Sequence, residues 1–406
     1  MSGRTHLFVA PQSAPFGETV IGMRIADDLH ARGDEIVVFA HESLAILVKD
    51  RPFRFVPVAK GAKLEEAIGS LAAEVRAASI VLLDATGVYM MLKREGTDAT
   101  FLRAVNRRVI GLDVWNLRKT GLEWDLVGTT WQHSRYSLDV TKRLIPVPFA
   151  QPTGAKGLYN ALPRAPEIDA RERETMRADF GARGDDRIVL VTSARWQEPS
   201  SQTHEMGKRL ALVFPKLVGA RLAALGERAQ VVHVGPTRFP FDDALGDRYT
   251  WLPQRSPARF AKTLAAADLL LSFNFSATTI AAAIAAQIPV LLGVNSFAGK
   301  FADEIAEKLD ASPATRAWLE DAVPLSAFRI WPLGLFKFLA PLARDNPYTS
   351  ALETVEALDE RAFTDAARRL LFDDAARDAL RKRQAEYRAQ VEALPKAADL
   401  VEAYLS

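Results

Sequence analysis

Short apolar runs alternate along the chain with longer segments of helical period. His6-Leu7-Phe8-Val9-Ala10 is a run of strand length, and Val20, Ile21, Ile25 and Leu29 then recur at the spacing of one helix face. That helix spans about residues 18–32, Gly33 stops it, and residues 35–40 form the next strand. Further strands are predicted at 54–58, 80–83, 108–112 and near 126–128, with a helix over 64–77. Strands and helices in alternation are the pattern of a parallel sheet covered by helices.

The period is lost between Pro146 and Pro166, where Pro148, Pro152, Gly154, Gly157 and Pro163 cluster, and this stretch reads as an interdomain linker. A second α/β series follows it. Helices are predicted at 170–180, 203–225, 257–266 and 278–286, and strands at 187–192, 230–234, 249–252, 269–273 and 289–293. The tail from Ala362 is helical and charged. The fold class is therefore α/β, two doubly wound Rossmann-like domains with a cleft between them, where ligands meet the carboxyl ends of the strands. Residues 1–150 form the first domain, 151–168 the linker and 169–395 the second domain, and helix 396–406 is placed to return to the first.

Composition narrows the function. Fifty-two Lys and Arg nearly cancel 50 Asp and Glu, for a net charge of +2 across 406 residues, so no electrostatic case for nucleic acid arises. The chain has no cysteine, which removes disulfides, thiolate metal sites and a cysteine nucleophile and suits a reducing compartment. No apolar run reaches membrane-spanning length and no signal-peptide core opens the sequence, so the expected location is the cytoplasm. The six histidines lack metal-ligand spacing, and His133 reads as a packed histidine. No dinucleotide fingerprint or phosphate-binding P-loop is present.

The stretch from Tyr249 to Leu292 is the most informative. Trp251-Leu252-Pro253-Gln254 precedes a helix. The strand 269–273 then runs into Asn274-Phe275-Ser276-Ala277-Thr278-Thr279, which opens the next helix. Small and hydroxyl residues at a helix start let backbone N–H groups approach phosphate oxygens, although the same residues also serve as ordinary caps.

This stretch resembles the donor-binding region of GT-B glycosyltransferases, in particular the UDP-glycosyltransferase superfamily. That family carries W-x-P-Q, then H-x-G-x-x-S-x-x-E-A, then G-x-P. Trp251, Pro253 and Gln254 match the first element, Thr279 the serine and Pro289 the final proline. Asn274 stands for the histidine, Ser276 for the glycine, Ala282 for the ribose-binding glutamate and Gln287 for the last glycine. The family's first-domain G-H-x-x-P and R-G-H-E-V elements have counterparts in Gly17-Glu18 and Arg32-Gly33-Asp34-Glu35-Ile36-Val37. The resemblance implies the GT-B fold and a hexosyl or related transferase using a nucleotide-diphosphate sugar as co-substrate. It implies inversion without a metal or resident cofactor, and an acceptor that is a small molecule, glycan or peptide. Trp251 and Gln254 then contact the base, while Asn274, Ser276, Thr278 and Thr279 surround the diphosphate. Glu18 occupies the place of the catalytic histidine.

Each candidate also has a plainer reading. Glu18 is either a general base or a first-turn charge complementing the helix dipole. Asp84 and Asp113, at strand ends, are either acceptor or acid/base groups or capping residues. Arg195, after Thr192-Ser193-Ala194, either grips a diphosphate or makes a surface ion pair. The apolar segment 328–339 is a buried packing surface or an acceptor-side or peripheral membrane face. Two rival functions stand beside the transferase: a GT-B nucleotide-sugar epimerase, and a GT-B-like partner protein without donor binding.

Overall fold

Apolar runs buried on both faces become the parallel strands of two sheets. The structure is a computed structural model that describes residues 3–12, 16–59, 61–97, 108–114, 116, 123–126, 129–132, 140–149, 154–194, 197, 205–295, 301–323 and 343–406. The chain forms two units, Met1–Leu122 with Gln132–Pro163 and Ala389–Ser406, and Glu123–Trp131 with Arg164–Arg388.

In the first unit β1 (Thr5–Ala10), β2 (Glu35–Ala40), β3 (Arg54–Pro57), β4 (Ser79–Leu82), β5 (Val109–Leu112), β8 (Lys142–Val147) and β9 (Leu158–Asn160) make one sheet of order β3-β2-β1-β4-β5-β8-β9. Between β5 and β8 the chain makes a separate two-stranded pair, β6 (Glu123–Leu126) and β7 (Thr129–Gln132). Helix α1 (Phe16–His30) joins β1 to β2, α2 (Leu64–Glu74) joins β3 to β4, and α3 (Ala85–Arg94) follows β4. Leu7 and Val9 of β1 pack with Val37, Phe39, Ile80 and Leu82 and with Leu64, Ile68 and Leu71 of α2. Burial of such runs, at about 25 cal/mol per Å² of apolar surface, is the main force holding helix to sheet.

The proline-rich stretch departs from the linker reading in one respect. It contains strand: Pro146 sits inside β8 opposite Tyr159 of β9. Ile145 and Val147 flank Pro146 in β8, and all three are buried, so a short apolar pair overrides the proline and glycine signals around it.

The second unit repeats the winding. β10 (Arg187–Thr192), β11 (Ala229–Val234), β12 (Tyr249–Leu252), β13 (Leu269–Ser272), β14 (Val290–Val294) and β15 (Glu353–Glu356) form a parallel sheet of order β12-β11-β10-β13-β14-β15. Its helices are α4 (Ala170–Asp179), α5 (Glu205–Ala223), the short α6 (Asp242–Leu245), α7 (Pro257–Ala266), α8 (Thr278–Ala285), α9 (Ala302–Lys308), α10 (Pro313–Ala322), α11 (Glu360–Phe372) and α12 (Asp374–Glu392). The last helix, α13 (Ala397–Leu405), belongs to the first unit, where Arg4 pairs with Glu402 at 2.8 Å and Tyr404 donates to the Arg143 carbonyl at 2.8 Å.

Two buried arginines of the second unit have polar partners. Arg177 of α4 pairs with Asp268 at 2.6 Å, and the same carboxylate accepts the Ile188 amide at 2.8 Å. Arg221 of α5 donates to the carbonyls of Ala357 and Leu358 and to the Thr315 hydroxyl. Removing one partner of such a buried group leaves an uncompensated charge, which is strongly destabilising.

Helix α8 ends in an unusual way. Gln287 follows its last turn with φ +55°, the left-handed conformation that glycine adopts without a Cβ penalty. The penalty for an L side chain there is about 1–2 kcal/mol, partly offset by glycine's extra freedom in the unfolded chain. Gln287→Gly is therefore expected to stabilise the protein by roughly 0.5–1 kcal/mol, read from urea unfolding midpoints. A loss of stability would show that the glutamine side chain holds this turn.

Candidate active site and ligand-binding edge

In each sheet the winding reverses beside the first strand, between β1 and β4 and between β10 and β13. There the loops leaving adjacent strands run to opposite sides and leave a crevice at the carboxyl ends, where open α/β sheets bind ligands. Of the candidate side chains, Glu18, Asp84 and Thr279 lie at these two places.

In the first unit the loop after β1 carries Gln12 and leads to Glu18 in the first turn of α1, while Asp84 follows β4. Asp84 caps α3 by accepting the Gly87 amide at 2.9 Å, and Gln12 donates to the Gly87 carbonyl at 3.1 Å. Glu18 is partly buried. Desolvation, and then the charge of Asp84, push its carboxyl up to about 7, against a smaller opposing hydrogen bond from its own backbone. Burial also raises Asp84, opposed by the Gly87 amide. Both carboxyls are thus disfavoured by burial, and the charge of Asp84 makes the ionisation of Glu18 harder still. Asp113, beyond β5, is instead held by Arg143 at 2.7 Å.

In the second unit Thr192 at the end of β10 meets Thr279 of α8, hydroxyl to hydroxyl at 3.2 Å. Before α8, Asn274 uses its side-chain oxygen to accept the Ser276 amide at 3.1 Å and hydroxyl at 2.7 Å, which shapes the loop. The cap position of α8 is Ala277, so no side chain there satisfies the first-turn amides. Thr278, Thr279 and Ala282 lie on the less buried side of the helix, and Ile280, Ala281, Ala283 and Ile284 on the buried one. Its far end is clamped by α12: Arg388 donates to the Ala285 carbonyl at 3.0 Å and Gln384 to the Ile288 carbonyl at 2.9 Å. A cation at the carboxyl end and open amides at the amino end suit an anion at Thr278 and Thr279.

Further along this edge, Trp251 of β12 donates to the Gly235 carbonyl at 3.3 Å, and Gln254 lies just past that strand. Ser193 contacts His233 at 2.9 Å, and the other ring nitrogen of His233 meets the Tyr249 hydroxyl at 3.1 Å. Burial pushes His233 down to about 3, so the ring is neutral and its two nitrogens serve one as donor and one as acceptor. A Cβ on Gly235 would lie 2.0 Å from the Ser193 hydroxyl and 2.7 Å from His233, so only glycine fits over this chain. The pattern of the sequence does not single out His233, Tyr249 or Gln12. A polar residue inside the apolar run Val231–Val234 was the only available sign for the histidine.

Arg195, His133 and the apolar segment 328–339 lie outside the described residues. A serine, histidine and aspartate do converge in the first unit, with His6 at 2.7 Å from Ser79 and 3.1 Å from Asp34. They sit at the amino ends of β1 and β4 and are all buried, so this network ties strands together. Among the described residues no group of three His, Cys, Asp or Glu is placed to hold a metal, and no helix is long and apolar enough to cross a membrane.

The architecture is GT-B. The glycosyltransferase VinC in complex with DTDP matches over 99% of this chain and 98% of its own, at TM-score 0.54 and 13% identity. The spinosyn rhamnosyltransferase SpnG complexed with spinosyn aglycone matches over 98% and 100%, at TM-score 0.54 and 16% identity. A protein described as a UDP-N-acetylglucosamine 2-epimerase from Listeria monocytogenes matches over 99% and 95%, at TM-score 0.51 and 10% identity. Within that architecture the chain belongs to DUF6365, a family of unknown function whose model covers residues 25–406. No curated protein matches it in sequence.

The raised Glu18 carboxyl has a consequence for stability. A carboxyl that binds its proton more tightly when folded makes stability fall as pH rises from about 4.5, the unfolded value, to about 7. Glu18→Gln is expected to stabilise the protein by about 1 kcal/mol or more at pH 8 and to change little at pH 4. A first-turn dipole charge predicts the opposite, a loss of about 0.3–1 kcal/mol at pH 8. Denaturation curves at the two pH values separate these outcomes.

Proposed function

We propose that this chain is a glycosyltransferase that moves a sugar from a nucleotide-diphosphate donor to an acceptor hydroxyl with inversion and without a metal. The observation that carries the reading is the carboxylate pair at the winding reversal of the first sheet. A base with a pKa near 7 is matched to proton transfer at neutral pH, and Glu18 is pushed to that value. In this reading Glu18 accepts the acceptor hydroxyl's proton as that oxygen bonds to the anomeric carbon. The bond from that carbon to the diphosphate breaks, and the nucleoside diphosphate leaves. Asp84 keeps the Glu18 carboxyl basic, and Asp113 is the reserve acceptor-side group.

The donor lies along the carboxyl edge of the second sheet. The diphosphate rests on the first-turn amides of α8, with Ser276, Thr278 and Thr279 around it, Asn274 shaping the loop and Arg195 neutralising the leaving group. Trp251 and Gln254 take the base. Fixed dipoles aimed at charge growing on the leaving group supply the stabilisation that other transferases take from a bound cation. Pairing of two carboxylates favours one second reading, epimerisation, in which elimination and re-addition occur on the nucleotide sugar itself. Turnover with no acceptor present would select it.

Two experiments test the transferase. Glu18→Gln should lower kcat by about 10²–10⁴ while nucleotide binding stays near wild type, and the wild-type rate should rise with pH to a plateau above about 7. Normal turnover in that variant would transfer the base role to Asp84 or Asp113. Separately, a nucleoside diphosphate should protect the Thr278 and Thr279 amides from hydrogen exchange, and Thr279→Trp should remove both the protection and the binding. Unchanged nucleotide affinity in Thr279→Trp would overturn the phosphate position.

A further inference from the structure

Arg255 and Arg259 stand where electrostatics disfavours them. Arg255 precedes Ser256, the cap of α7, and Arg259 is the third residue of that helix. The charge of Arg259 acts on Arg255 repulsively, and cations at a helix amino end oppose the dipole. The arginines described above at buried positions all have carbonyl or carboxylate partners. Neither of these two guanidinium groups has a hydrogen bond or ion pair among the described residues. Arg255 is partly buried and Arg259 exposed. Burial first, and then the charge of Arg259, push the Arg255 guanidinium below its ordinary value. A local conflict without a compensating contact is the mark of a place shaped for something else.

Its position says for what. α7 follows the carboxyl end of β12, and Arg255 is one residue past Gln254 and four past Trp251. Strands β11 and β10 separate β12 from β13, which leads into the open amides of α8. A ligand whose diphosphate rests on α8 therefore reaches these arginines only at its nucleoside end. Two guanidinium groups that repel each other are relieved by a dianion and not by a neutral base edge.

We propose that Arg255 and Arg259 bind a phosphoryl group carried on the nucleoside portion of the ligand, a site separate from the diphosphate position at α8. This rests on the nucleotide reading above. The test is isothermal titration of the full chain with ADP, UDP, GDP, CDP and dTDP and with the 2′- and 3′-phosphorylated counterparts of the four ribonucleotides. Nucleoside 3′,5′-bisphosphates are titrated alongside. The added 2′- or 3′-phosphate should tighten binding about tenfold or more. In the double variant Arg255→Gln/Arg259→Gln the ratio of the two affinities should fall to about one. Equal affinities in the wild type, or a gain that persists in the double variant, would overturn the arginine site and leave the diphosphate reading intact. Bisphosphates that bind through the arginines while plain diphosphates do not would keep the arginine site and overturn the α8 position. If no nucleotide binds, both are wrong.

Discussion

The carboxylate pair of the first unit and the threonine pair of the second both depend on a reversal of winding. A parallel sheet built from right-handed crossovers can grow outward only in one direction per hand of the walk. To cover both faces with helices the chain must return to its first strand and grow the other way. Here it does so twice, at β1/β4 and at β10/β13. Each return parts two loops that would otherwise pack together, and polar groups there escape the apolar layers that bury the strands. Glu18 and Asp84 meet at one reversal, and Thr192 and Thr279 at the other. The chemistry is placed by topology before any side chain is chosen.

Charge is distributed to match. Away from the reversals, buried ionic groups are matched with partners: Arg177 with Asp268, Arg143 with Asp113, Arg221 with two carbonyls and a hydroxyl. Such contacts fix helices onto sheets, and their Coulomb gain largely offsets the cost of leaving water. At the carboxyl edges the pattern inverts. Two acids sit together in the first unit, and two arginines sit together in the second. In each pair a like charge acts on a group whose ionisation burial already disfavours.

The second unit also shows how a helix start is kept available. Ala277 cannot cap α8, and Asn274, which has the right chemistry, is occupied in holding Ser276. The opposite end is closed by Arg388 and Gln384. The helix is short, almost wholly apolar on its buried side, and anchored from behind. A phosphate arriving at its amino end would meet groups already oriented, which limits the reorganisation needed on binding.

The order of elements and the two-sheet architecture were legible in the residues themselves. Apolar runs and helical periods are local properties, and Gly33 or the hydroxyl-rich start of α8 mark their positions by chemistry that needs no partner. Gln287 shows the limit of that reading: its departure from glycine is visible in the sequence, but the left-handed φ that makes it matter is not. Strands β8 and β9 were hidden by prolines and glycines, because only pairing with a distant neighbour makes Pro146 part of a sheet. The same holds for the site. Glu18 and Asp84 are 66 residues apart and nothing in either segment links them. The effect of the Asp84 charge on Glu18, the use of Asp113 by Arg143, and the contact of Ser193 with His233 arise only where strands distant in sequence lie side by side. Local pattern determined which elements form, because period and turn chemistry act over a few residues. The tertiary structure decided which side chains act together, because burial and Coulomb interaction depend on distance in space.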